Sequence, residues 1–407
     1  MSTLPGRGER ALSPILVQKY GGSSLADLDR LREVAAKIVA TREKGYDLVV
    51  VVSAMGDTTD DLLEMAKALS ANPSRRELDM LLSVGERISM ALMSIAIHSH
   101  GHEAVSLTGS QCGIITTHSH ANARIMDVRP FRVQDELAQG RIVIVAGYQG
   151  ASYRRDVTTL GRGGSDTTAV ALAAALDAEA CEIYSDVDGV YSADPRVVID
   201  AHQLESLSYQ EMQEMARSGA KVLNEQAVEF ARRSKIALYA RSTRGDGEGG
   251  TVVRRVDLSP DYIDEAEKGC PALAVSHVDQ GLWVVADKNA DALMSFLQDQ
   301  CCALVDWRAG LSAGAYICLD DIHGVDSFRQ AMEDIGGDVT TRQCGLVSVV
   351  GTGIGTTAAW AMEGVGVLRE LQIVPLHQGL MPDRLSWVVD GVDVKIAAQG
   401  LHEHFLG

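Results

Sequence analysis

The sequence predicts an α/β protein with an open, mainly parallel, doubly wound sheet, followed by two ferredoxin-like βαββαβ units. Three observations support this fold class. Short runs rich in Val and Ile alternate with longer amphipathic segments from Ile15 to about Arg244, which is typical of βαβ repeats. After Pro271 the order changes to strand, helix, strand, strand, helix, and this order occurs twice. The length of 407 residues also exceeds what one core usually serves, so several domains are expected.

Four buried strands are predicted in the first part, at Leu16–Lys19, Asp47–Ser53, Arg141–Ala146 and Glu182–Tyr184, because each is rich in β-branched residues. Apolar residues at helical spacing predict a helix over Leu25–Arg42 that crosses between the first two strands. Ser208 and Glu211 form a capping box, which predicts that another helix opens at Tyr209.

The region after Pro271 predicts two similar units. The first contains strands at Leu282–Ala286, Ala303–Trp307, Ala315–Leu319 and Val339–Arg342, with helices at Ala290–Gln300 and Val325–Ile335. The second contains strands at Leu346–Val350, Ile373–Leu376 and Leu385–Val389, with helices at Thr357–Glu370 and Val394–Phe405. Its last strand is missing, and Ala272–Val278 is the segment left to supply it.

These patterns predict an N-terminal extension over residues 1–14, a first domain over 15–250 and a linker over 251–270. A C-terminal region over 271–407 follows. Within it we expect the first unit at about 280–343, and the second at about 345–407 plus the strand 272–278.

Composition and charge exclude several classes of protein. Apolar residues make up 46% of the chain and charged residues 23%, which is typical of a globular protein and argues against disorder. A net charge of −18 opposes nucleic acid and anionic lipid as partners. Residues 1–14 lack the apolar core of a signal peptide, and no uninterrupted apolar run is long enough to span a bilayer. We therefore expect a cytoplasmic protein with no nucleic-acid or membrane partner.

Cysteine and histidine spacing gives no sign of a metal site. The seven cysteines form no C-x-x-C pair, so we interpret them as reduced, small buried side chains. Five histidines lie between His98 and His120, but neither the C-x-x-C nor the H-E-x-x-H spacing accompanies them. No metal held by the protein is expected.

The first chemically suggestive segment is the glycine-rich turn Lys19–Ser24, between the first strand and the first helix. Glycines there allow backbone N–H groups to approach phosphate oxygens, and Lys19 at the strand end has the length to reach a transferring phosphoryl group. The spacing differs from G-x-x-x-x-G-K-[ST], so a P-loop NTPase is disfavoured. A tight turn without a ligand would have the same pattern.

Two further turns follow the same logic. Ser53–Asp60 places hydroxyls and a glycine after the second strand, where open α/β sheets bind ligands. In Leu160–Thr168, Arg162 between glycines suits a bidentate clamp on a carboxylate, and Asp166 suits an ammonium group or a lysine.

The fourth segment, Ser185–Arg196, follows the strand at Glu182–Tyr184. Asp186 and Asp188 suggest an EF-hand, but Val197 stands at loop position 12, where a glutamate is needed. A dinucleotide-binding turn at Val350–Gly355 is also disfavoured, because Thr356 occupies the last fingerprint position and too little chain follows.

These four segments, with Leu82–Ser89 and Gly219–Leu223, resemble the aspartate kinases in content and order from Ile15 to Arg241. Each piece is unspecific alone, whereas the ordered set is specific. The resemblance implies an amino-acid-kinase fold for the first domain and ACT-type units for the C-terminal pair. It also implies transfer of the γ-phosphoryl group of Mg-ATP to the β-carboxylate of L-aspartate, giving 4-phospho-L-aspartate, with Mg²⁺ held through ATP.

Carried over motif by motif, the resemblance implies three groups of site residues. Lys19 and Asp166 are catalytic, with Lys19 stabilising the transferring group and Asp166 orienting the site and contacting the substrate ammonium. The residues implied for aspartate are Ser53, Thr59, Glu86, Arg162 and Ser165, with Arg162 on the α-carboxylate and Glu86 on the ammonium. The residues implied for ATP are Lys19, Gly21, Gly22, Ser23, Ser185, Asp186, Tyr191, Arg196 and Lys221.

The chain departs from the family pattern in places. Asn224–Gln226 stands where relatives usually carry a histidine or a basic residue. In the ACT-type units, Asn289–Asp291 and Thr356–Thr357 replace Pro-Gly turns, and Leu376–Gly379 replaces a hydroxyl-rich strand. We therefore expect weakened or absent feedback inhibition by lysine and threonine, and a homodimer or higher oligomer built through the ACT-type region. Two alternatives remain open: a kinase of a related amino-acid carboxylate, and a catalytically silent amino-acid sensor.

Overall fold

The computed structural model describes residues 13–161, 163–244, 249–255, 270–287, 290–299, 304–308, 313–319, 322, 325–335 and 339–407. The described residues form two compact units. The described residues of the first fall within Met1–Val190, Glu205–Tyr209 and Val222–Arg255, and those of the second fall within Tyr191–Leu204, Gln210–Lys221 and Val256–Gly407. Most of the predicted extension and linker, together with Arg162 and Asn289, lies outside the described residues.

The first unit contains an eight-stranded sheet in the order β10-β12-β11-β9-β1-β2-β6-β3. All neighbouring pairs are parallel except β11 with β12. This confirms the predicted mainly parallel α/β sheet. The strands are β1 (Ile15–Tyr20), β2 (Asp47–Val52), β3 (Ala104–Leu107), β6 (Ile142–Ala146), β9 (Ala180–Ser185), β10 (Ser206–Ser208), β11 (Ala237–Ser242) and β12 (Thr251–Arg254).

Helices cover both faces of this sheet. They are α1 (Leu28–Glu43), α2 (Thr58–Leu69), α3 (Arg75–Leu82), α4 (Val84–Ser99), α5 (Phe131–Ala138), α6 (Gly164–Ala175) and α8 (Glu225–Ser234). Helix α7 (Tyr209–Arg217) belongs to the second unit from Gln210 onward. Leu16 and Tyr20 of β1 pack with apolar residues of α1, whereas Lys19 points to the opposite face and pairs with α6. The first helix begins at Leu28, because Asp27 caps it by accepting from the backbone N–H groups of Asp29 and Arg30.

A small second sheet in this unit was not predicted. It has the order β5-β4-β7-β8, with β4 at Ile114–Thr116, β5 at Ile125–Val128, β7 at Gln149–Ser152 and β8 at Val157–Thr159. Thr116 and Thr158 bridge two of its strands through their hydroxyls, 2.6 Å apart and fully buried. Strands of three or four residues give too short a pattern to be recognised from sequence.

The stretch Arg75–Ser99 is long and apolar enough, by composition alone, to cross a membrane, and half of it is buried inside the protein. It consists of the two helices α3 and α4, which meet at Ser83. Helix α4 packs on α1, β3 and β6 and buries Met93 and Ile97 in the core. The buried face of α4 therefore packs within the first unit, whereas Ile88 and Ile95 on its other side are 47% and 64% exposed.

The second unit contains a six-stranded antiparallel sheet in the order β14-β15-β13-β16-β18-β17. Its elements are β13 (Ala274–Ala286), α9 (Ala290–Asp299), β14 (Leu304–Arg308), β15 (Ala313–Cys318), α10 (Val325–Glu333), β16 (Val339–Val350), α11 (Ala358–Glu370), β17 (His377–Met381), β18 (Arg384–Val389) and α12 (Val394–Leu406). This order corresponds to two βαββαβ units side by side, as predicted.

The two βαββαβ units share the long central strands β13 and β16. The first half of β16 pairs with Gly281–Ala286 of β13, and its second half, Leu346–Val350, pairs with Ala274–Val278. The register shifts between Val278 and Gly281, where one unit gives way to the other. The segment Ala274–Val278 therefore pairs with the first strand of the second unit, and it is continuous with the first strand of the first unit.

The strand predicted at Ile373–Leu376 is wrong. Gln372 adopts a left-handed conformation (φ 61°) after α11, and Val374 is 83% exposed. Pro375 also cannot donate a ladder hydrogen bond. The strand begins instead at His377 and pairs with β18, although His377–Met381 contains no β-branched residue. Pairing with a neighbouring strand therefore decides the structure here.

The glycine-rich turn after β16 uses its backbone donors within the protein. The N–H groups of Gly351 and Gly353 bond to Asp383, and that of Gly355 bonds to the carbonyl of Pro382. A Cβ atom on Gly355 would lie 1.8 Å from the carbonyl of Met381. These glycines therefore serve the close approach of two chain segments.

Candidate active site

Lys19 lies near the carboxyl end of β1, the central strand of the parallel sheet. Its Nζ atom is 2.6 Å from Oδ1 of Asp166, in the first turn of α6, and the two side chains are only 11% and 10% exposed. The structure therefore brings together the two residues predicted to be catalytic. A nearly buried cation at the end of β1, paired with the carboxylate of Asp166, is suited to meet an incoming anion.

The glycine turn after β1 lies beside the turn after β2. The N–H of Gly21 donates to the carbonyl of Tyr184, and that of Gly56 donates to the carbonyl of Gly22. A Cβ atom on Gly22 would lie 2.9 Å from the carbonyl oxygen of Ala54, so only glycine allows this approach. A Cβ atom on Gly21 would lie 3.5 Å from Nζ of Lys19, so the cation is directly beside the turn. Ser23 follows in a short 3₁₀ turn and is exposed.

Glu86, in the first turn of α4, contacts the turn after β2 through its carboxylate. It is 3% exposed, and its Oε1 atom accepts from the backbone N–H of Ala54 at 3.2 Å. Among the described residues its Oε2 atom has no hydrogen-bond partner. Burial raises the pKa of the Glu86 carboxyl to about 7. A buried carboxylate with one unsatisfied oxygen is suited to receive a cationic group.

Ser53 and Thr59 belong to the same second turn. The N–H of Ser53 donates to the carbonyl of Tyr20 at 3.1 Å, and this bond continues the pairing of β1 with β2 beyond the strand. Thr59 lies in the first turn of α2.

The third segment leads from β8 into α6 through glycines in left-handed conformations. Gly163 has φ 70°, and a Cβ atom there would lie 2.5 Å from the side-chain nitrogen of Asn224. Ser165 is buried, and its Oγ atom lies 2.6 Å from where a Cβ atom of Gly147 would stand. Arg162, the predicted carboxylate clamp, lies outside the described residues.

Asn224 was singled out from sequence only as a departure. Its side chain caps α8 by accepting from the N–H groups of Gln226 and Ala227, and it also accepts from the hydroxyl of Thr167 at 3.3 Å. It therefore packs against the glycine loop that opens α6. The sequence signal was an N-cap residue before a helix, which does not reveal a tertiary contact.

Ser185 and Asp186 follow at the end of β9, next to β1. The carbonyl of Ser185 accepts from the N–H of Thr243 at 2.8 Å, whereas Asp186 is exposed. The three other predicted ATP-side residues, Tyr191, Arg196 and Lys221, belong to the second compact unit.

Within the second unit, the segment after Tyr191 is tied to the sheet and to the last helix. Ser192 accepts through its carbonyl from the N–H of Val275 at 2.7 Å, and its hydroxyl lies 2.9 Å from Nε2 of His402. Arg196 forms an ion pair with Asp194 at 2.7 Å, and this contact lowers the pKa of the Asp194 carboxyl.

The turn before Lys221 is also fixed on β13. The hydroxyls of Ser218 and Ser276 are 2.5 Å apart, and a Cβ atom on Gly219 would lie 2.1 Å from the carbonyl of His277. Both chain segments that carry predicted ATP-side residues in the second unit therefore contact strand β13.

An open cavity of about 330 Å³ lies on the α1 face of the sheet, bordered by Lys37, Thr41, Glu182, Tyr239 and Arg241 among others. Glu182 accepts there from Gln18 and Tyr184 and pairs with Arg241 at 3.3 Å. Because Glu182 and Arg241 pair with each other and the cavity lies on the face opposite Lys19, we do not assign the reaction to this cavity.

The histidines between His98 and His120 bond to different partners. His98 bonds the backbone of Ala104, and His120 bonds Asp79. Within the described ranges no group of three or more His, Cys, Asp or Glu side chains is arranged to hold a metal ion.

A family profile matches the N-terminal part of this chain, and individual relatives match nearly all of it. A profile of the Amino acid kinase family matches residues 14–242. Aspartokinase of Corynebacterium glutamicum is 44% identical over 414 residues, which cover 96% of each chain. E. coli aspartokinase III, solved with aspartate and ADP in the R-state, has a TM-score of 0.79 at 23% identity and covers 97% of this chain and 100% of that one.

The same E. coli enzyme in its T-state, solved with lysine and aspartate, has a TM-score of 0.71 at 23% identity, with the same coverage. At this identity the two structures establish the common fold. The match of the family profile to more than half of the residues, and the end-to-end relationship to an aspartokinase at 44% identity, place this chain in the aspartokinase branch of the amino acid kinase family.

Proposed function

We propose that this protein transfers the γ-phosphoryl group of ATP to the β-carboxylate of L-aspartate, giving 4-phospho-L-aspartate and ADP. The observation that carries the proposal is the Lys19–Asp166 pair beside the glycine turn at the carboxyl end of β1. Relatives named aspartokinase, and a structural neighbour holding aspartate and ADP, support the choice of substrates.

The reaction needs no nucleophile from the protein. An oxygen of the substrate β-carboxylate attacks the γ-phosphorus, a new P–O bond forms, and the bond from phosphorus to the β–γ bridging oxygen breaks with ADP as the leaving group. Catalysis then consists of positioning and of neutralising charge on the transferring group. Lys19 supplies a cation at the end of β1, and Asp166 positions this cation through the ion pair of 2.6 Å.

ATP arrives as its magnesium complex in reactions of this kind, and the metal neutralises phosphate charge. The glycine turn is proposed for phosphate binding because Nζ of Lys19 lies 3.5 Å from where a Cβ atom of Gly21 would stand, so the cation is beside the turn. We propose that Gly21, Gly22 and Ser23 contact the phosphates with Lys19. Ser185, Asp186, Tyr191, Arg196 and Lys221 are proposed for the rest of the nucleotide.

For aspartate, we propose that Glu86 receives the ammonium group and Arg162 the α-carboxylate, with Ser53, Thr59 and Ser165 near the reacting end. The buried carboxylate of Glu86, with one oxygen left unsatisfied among the described residues, supports its role.

The direct test is an ATP-dependent hydroxamate assay with aspartate, glutamate and 2-aminoadipate. We expect product with aspartate and at least about tenfold less with either longer acid, since one methylene displaces the reacting carboxylate. Preference for a longer acid would assign the protein to a related carboxylate. Absence of product with all three would favour the sensor alternative.

The raised pKa of Glu86 predicts a pH dependence of aspartate binding. A carboxyl with a folded-state pKa of about 7 is largely protonated at pH 6, and the substrate ammonium requires its ionised form. The KM for aspartate is therefore expected to fall roughly tenfold between pH 6 and pH 8, while the KM for ATP stays nearly constant. Steady-state kinetics across this range provide the measurement.

The matched variant is Glu86→Gln, which cannot ionise. We expect it to raise the KM for aspartate and to remove the pH dependence between pH 6 and 8. If the variant kept the pH dependence of the wild type, another group would be responsible and Glu86 would not hold the ammonium.

We further propose that lysine and threonine inhibit this enzyme weakly or not at all. The strand β17, which takes the place of a hydroxyl-rich strand, carries His377, and its ring stacks on Trp283 with a centroid distance of 4.5 Å. An effector ammonium and carboxylate left without polar partners lose several kcal/mol of binding free energy. E. coli aspartokinase III, which has been solved with lysine and aspartate in its T-state, contrasts with the weak effector binding proposed here.

Titration of activity with lysine and threonine, singly and together up to about ten millimolar, tests this proposal. We expect less than a twofold change in rate, because the loss of a few kcal/mol weakens a regulatory affinity more than a hundredfold. Clear inhibition at one millimolar would show that an effector binds through main-chain groups.

The outer strands β14 and β17 support a proposal about assembly. An antiparallel sheet that ends in strand edges is often completed by a second copy, so we propose a homodimer or higher oligomer through the ACT-type region. Light scattering at micromolar concentration measures the oligomeric state, and a monomer would contradict this proposal.

The location proposed from sequence is the cytoplasm, which cell fractionation tests.

A further inference from the structure

Asp79 of α3 is a fully buried carboxylate outside the site described so far. Its Oδ1 atom accepts from the hydroxyl of Thr159 at 2.5 Å and from the N–H of Ala121 at 3.0 Å. Its Oδ2 atom is 2.6 Å from Nδ1 of His120. With the carboxylate ionised, Nδ1 carries the proton of this bond, because a carboxylate only accepts.

The three partners lie in two segments that are far apart in sequence and adjacent in space. One is the loop after β4, which contains His120 and Ala121, and the other is the end of β8 at Thr159. The two segments also bond directly, since the N–H of Ala123 donates to the carbonyl of Thr159 at 2.9 Å. A single carboxylate on α3 thus holds both.

The end of β8 leads straight into the first turn of α6. Gly161 packs so closely on the His120 loop that a Cβ atom there would lie 2.8 Å from Oδ1 of Asn122. The carbonyl of Gly161 accepts from the N–H of Gly164, the first residue of α6, at 3.1 Å. That turn carries Ser165 and Asp166, and Asp166 in turn holds Lys19.

We propose that Asp79 and His120 are positioning residues for the phosphoryl-transfer reaction: they fix the loop between β8 and α6, and through it the groups proposed to bind aspartate. This inference rests on the proposed function. A buried carboxylate is costly unless it is fully hydrogen-bonded, and here every described bond is directed at the two segments that frame this loop. Displacement of such a loop by about 1 Å reduces turnover strongly in well-aligned sites.

Asp79→Asn is the primary test. The amide keeps the shape of the carboxylate, but its NH₂ group is a donor and faces partners that donate to Asp79 in the wild type. We expect the KM for aspartate to rise about tenfold and the KM for ATP to change less than about twofold. His120→Ala should act in the same direction, and His120→Asn, which keeps a donor, should recover part of the loss. Glu77→Gln, an exposed carboxylate-to-amide change on the same helix, serves as the control and should leave both constants unchanged.

Hydrogen–deuterium exchange of the ligand-free protein separates this inference from the proposed function. Asp79→Asn and His120→Ala are expected to speed exchange in peptides covering 120–124 and 157–166, and to leave β1 and β2 protected. This result is independent of which carboxylate is the substrate. Unchanged exchange in both peptides, or equal rises of the KM for aspartate and ATP, would overturn the positioning role. If Asp79→Asn does not fold, the two His120 variants decide the question alone.

Discussion

Replacement of Lys19 by alanine is expected to lower kcat by about 10²-fold or more while the fold is retained, because the lost cation acts on charge that develops as the phosphoryl group moves. Lys19 is one of the residues whose side chain leaves the central strand toward α6, and its Nζ atom lies beside the Gly21 turn. A binding role alone would raise KM and leave kcat unchanged. Steady-state kinetics at saturating ATP and aspartate measure the effect.

Lys44→Ala provides the matched control for this variant. Lys44 follows α1, is exposed, and lies on the border of the cavity on the opposite face of the sheet. Loss of its charge changes the net charge of the protein by the same amount and should leave kcat unchanged. If Lys19→Ala kept near wild-type kcat, or if both variants lost activity equally, the assignment of the site to the end of β1 would be wrong.

Asp166→Ala is expected to destabilise the protein by about 3 kcal/mol, because it leaves the ammonium of Lys19 nearly buried without its carboxylate. The double variant Lys19→Met/Asp166→Leu removes both charges and keeps apolar volume. Its free energy of unfolding should return to within about 1 kcal/mol of the wild type. Its activity should remain at the level of Lys19→Ala. Urea denaturation and kinetics on the wild type, Lys19→Met, Asp166→Leu and the double variant give the complete cycle.

This cycle distinguishes a functional ion pair from a structural one. If the pair serves stability, the single variants and the double variant should lose activity only in proportion to the unfolded fraction. If it serves the reaction, stability and activity separate in the double variant. A double variant that regained both would contradict a catalytic role for Lys19.

The fold of the catalytic unit could be predicted because its signals are local. The buried strands β1, β2 and β6 are rich in Val and Ile, and the turns that carry Gly21–Ser23 and Ser53–Thr59 follow directly after the first two of them. Parallel strands place their carboxyl ends at one edge, which locates the turns after β1, β2 and β9 together, whereas Asp166 follows β8 of the small second sheet and meets Lys19 through the packing of α6 on β1.

The positioning groups could not be predicted, because their signals are tertiary. Asp79 lies on a short helix where the pattern of charges is typical of a solvent-facing side, yet it is completely buried. Asn224 gives only the signal of a helix cap, and its contact with Gly163 depends on how α8 packs on α6. The strand at His377–Met381 has no intrinsic preference for its conformation and forms by pairing with β18.

The pairing of Ala274–Val278 with the far half of β16 fixes the order in which the C-terminal region is completed during synthesis. Ala274 must wait for Val350 to leave the ribosome before its hydrogen bonds form, a delay on the order of 4–15 s at usual elongation rates. During that interval the nascent chain presents a bare strand edge, Ala-Val-Ser-His-Val, that invites pairing with other chains. We therefore expect the yield of native protein to depend on chaperone supply and translation speed more than on the intrinsic stability of either ferredoxin-like unit.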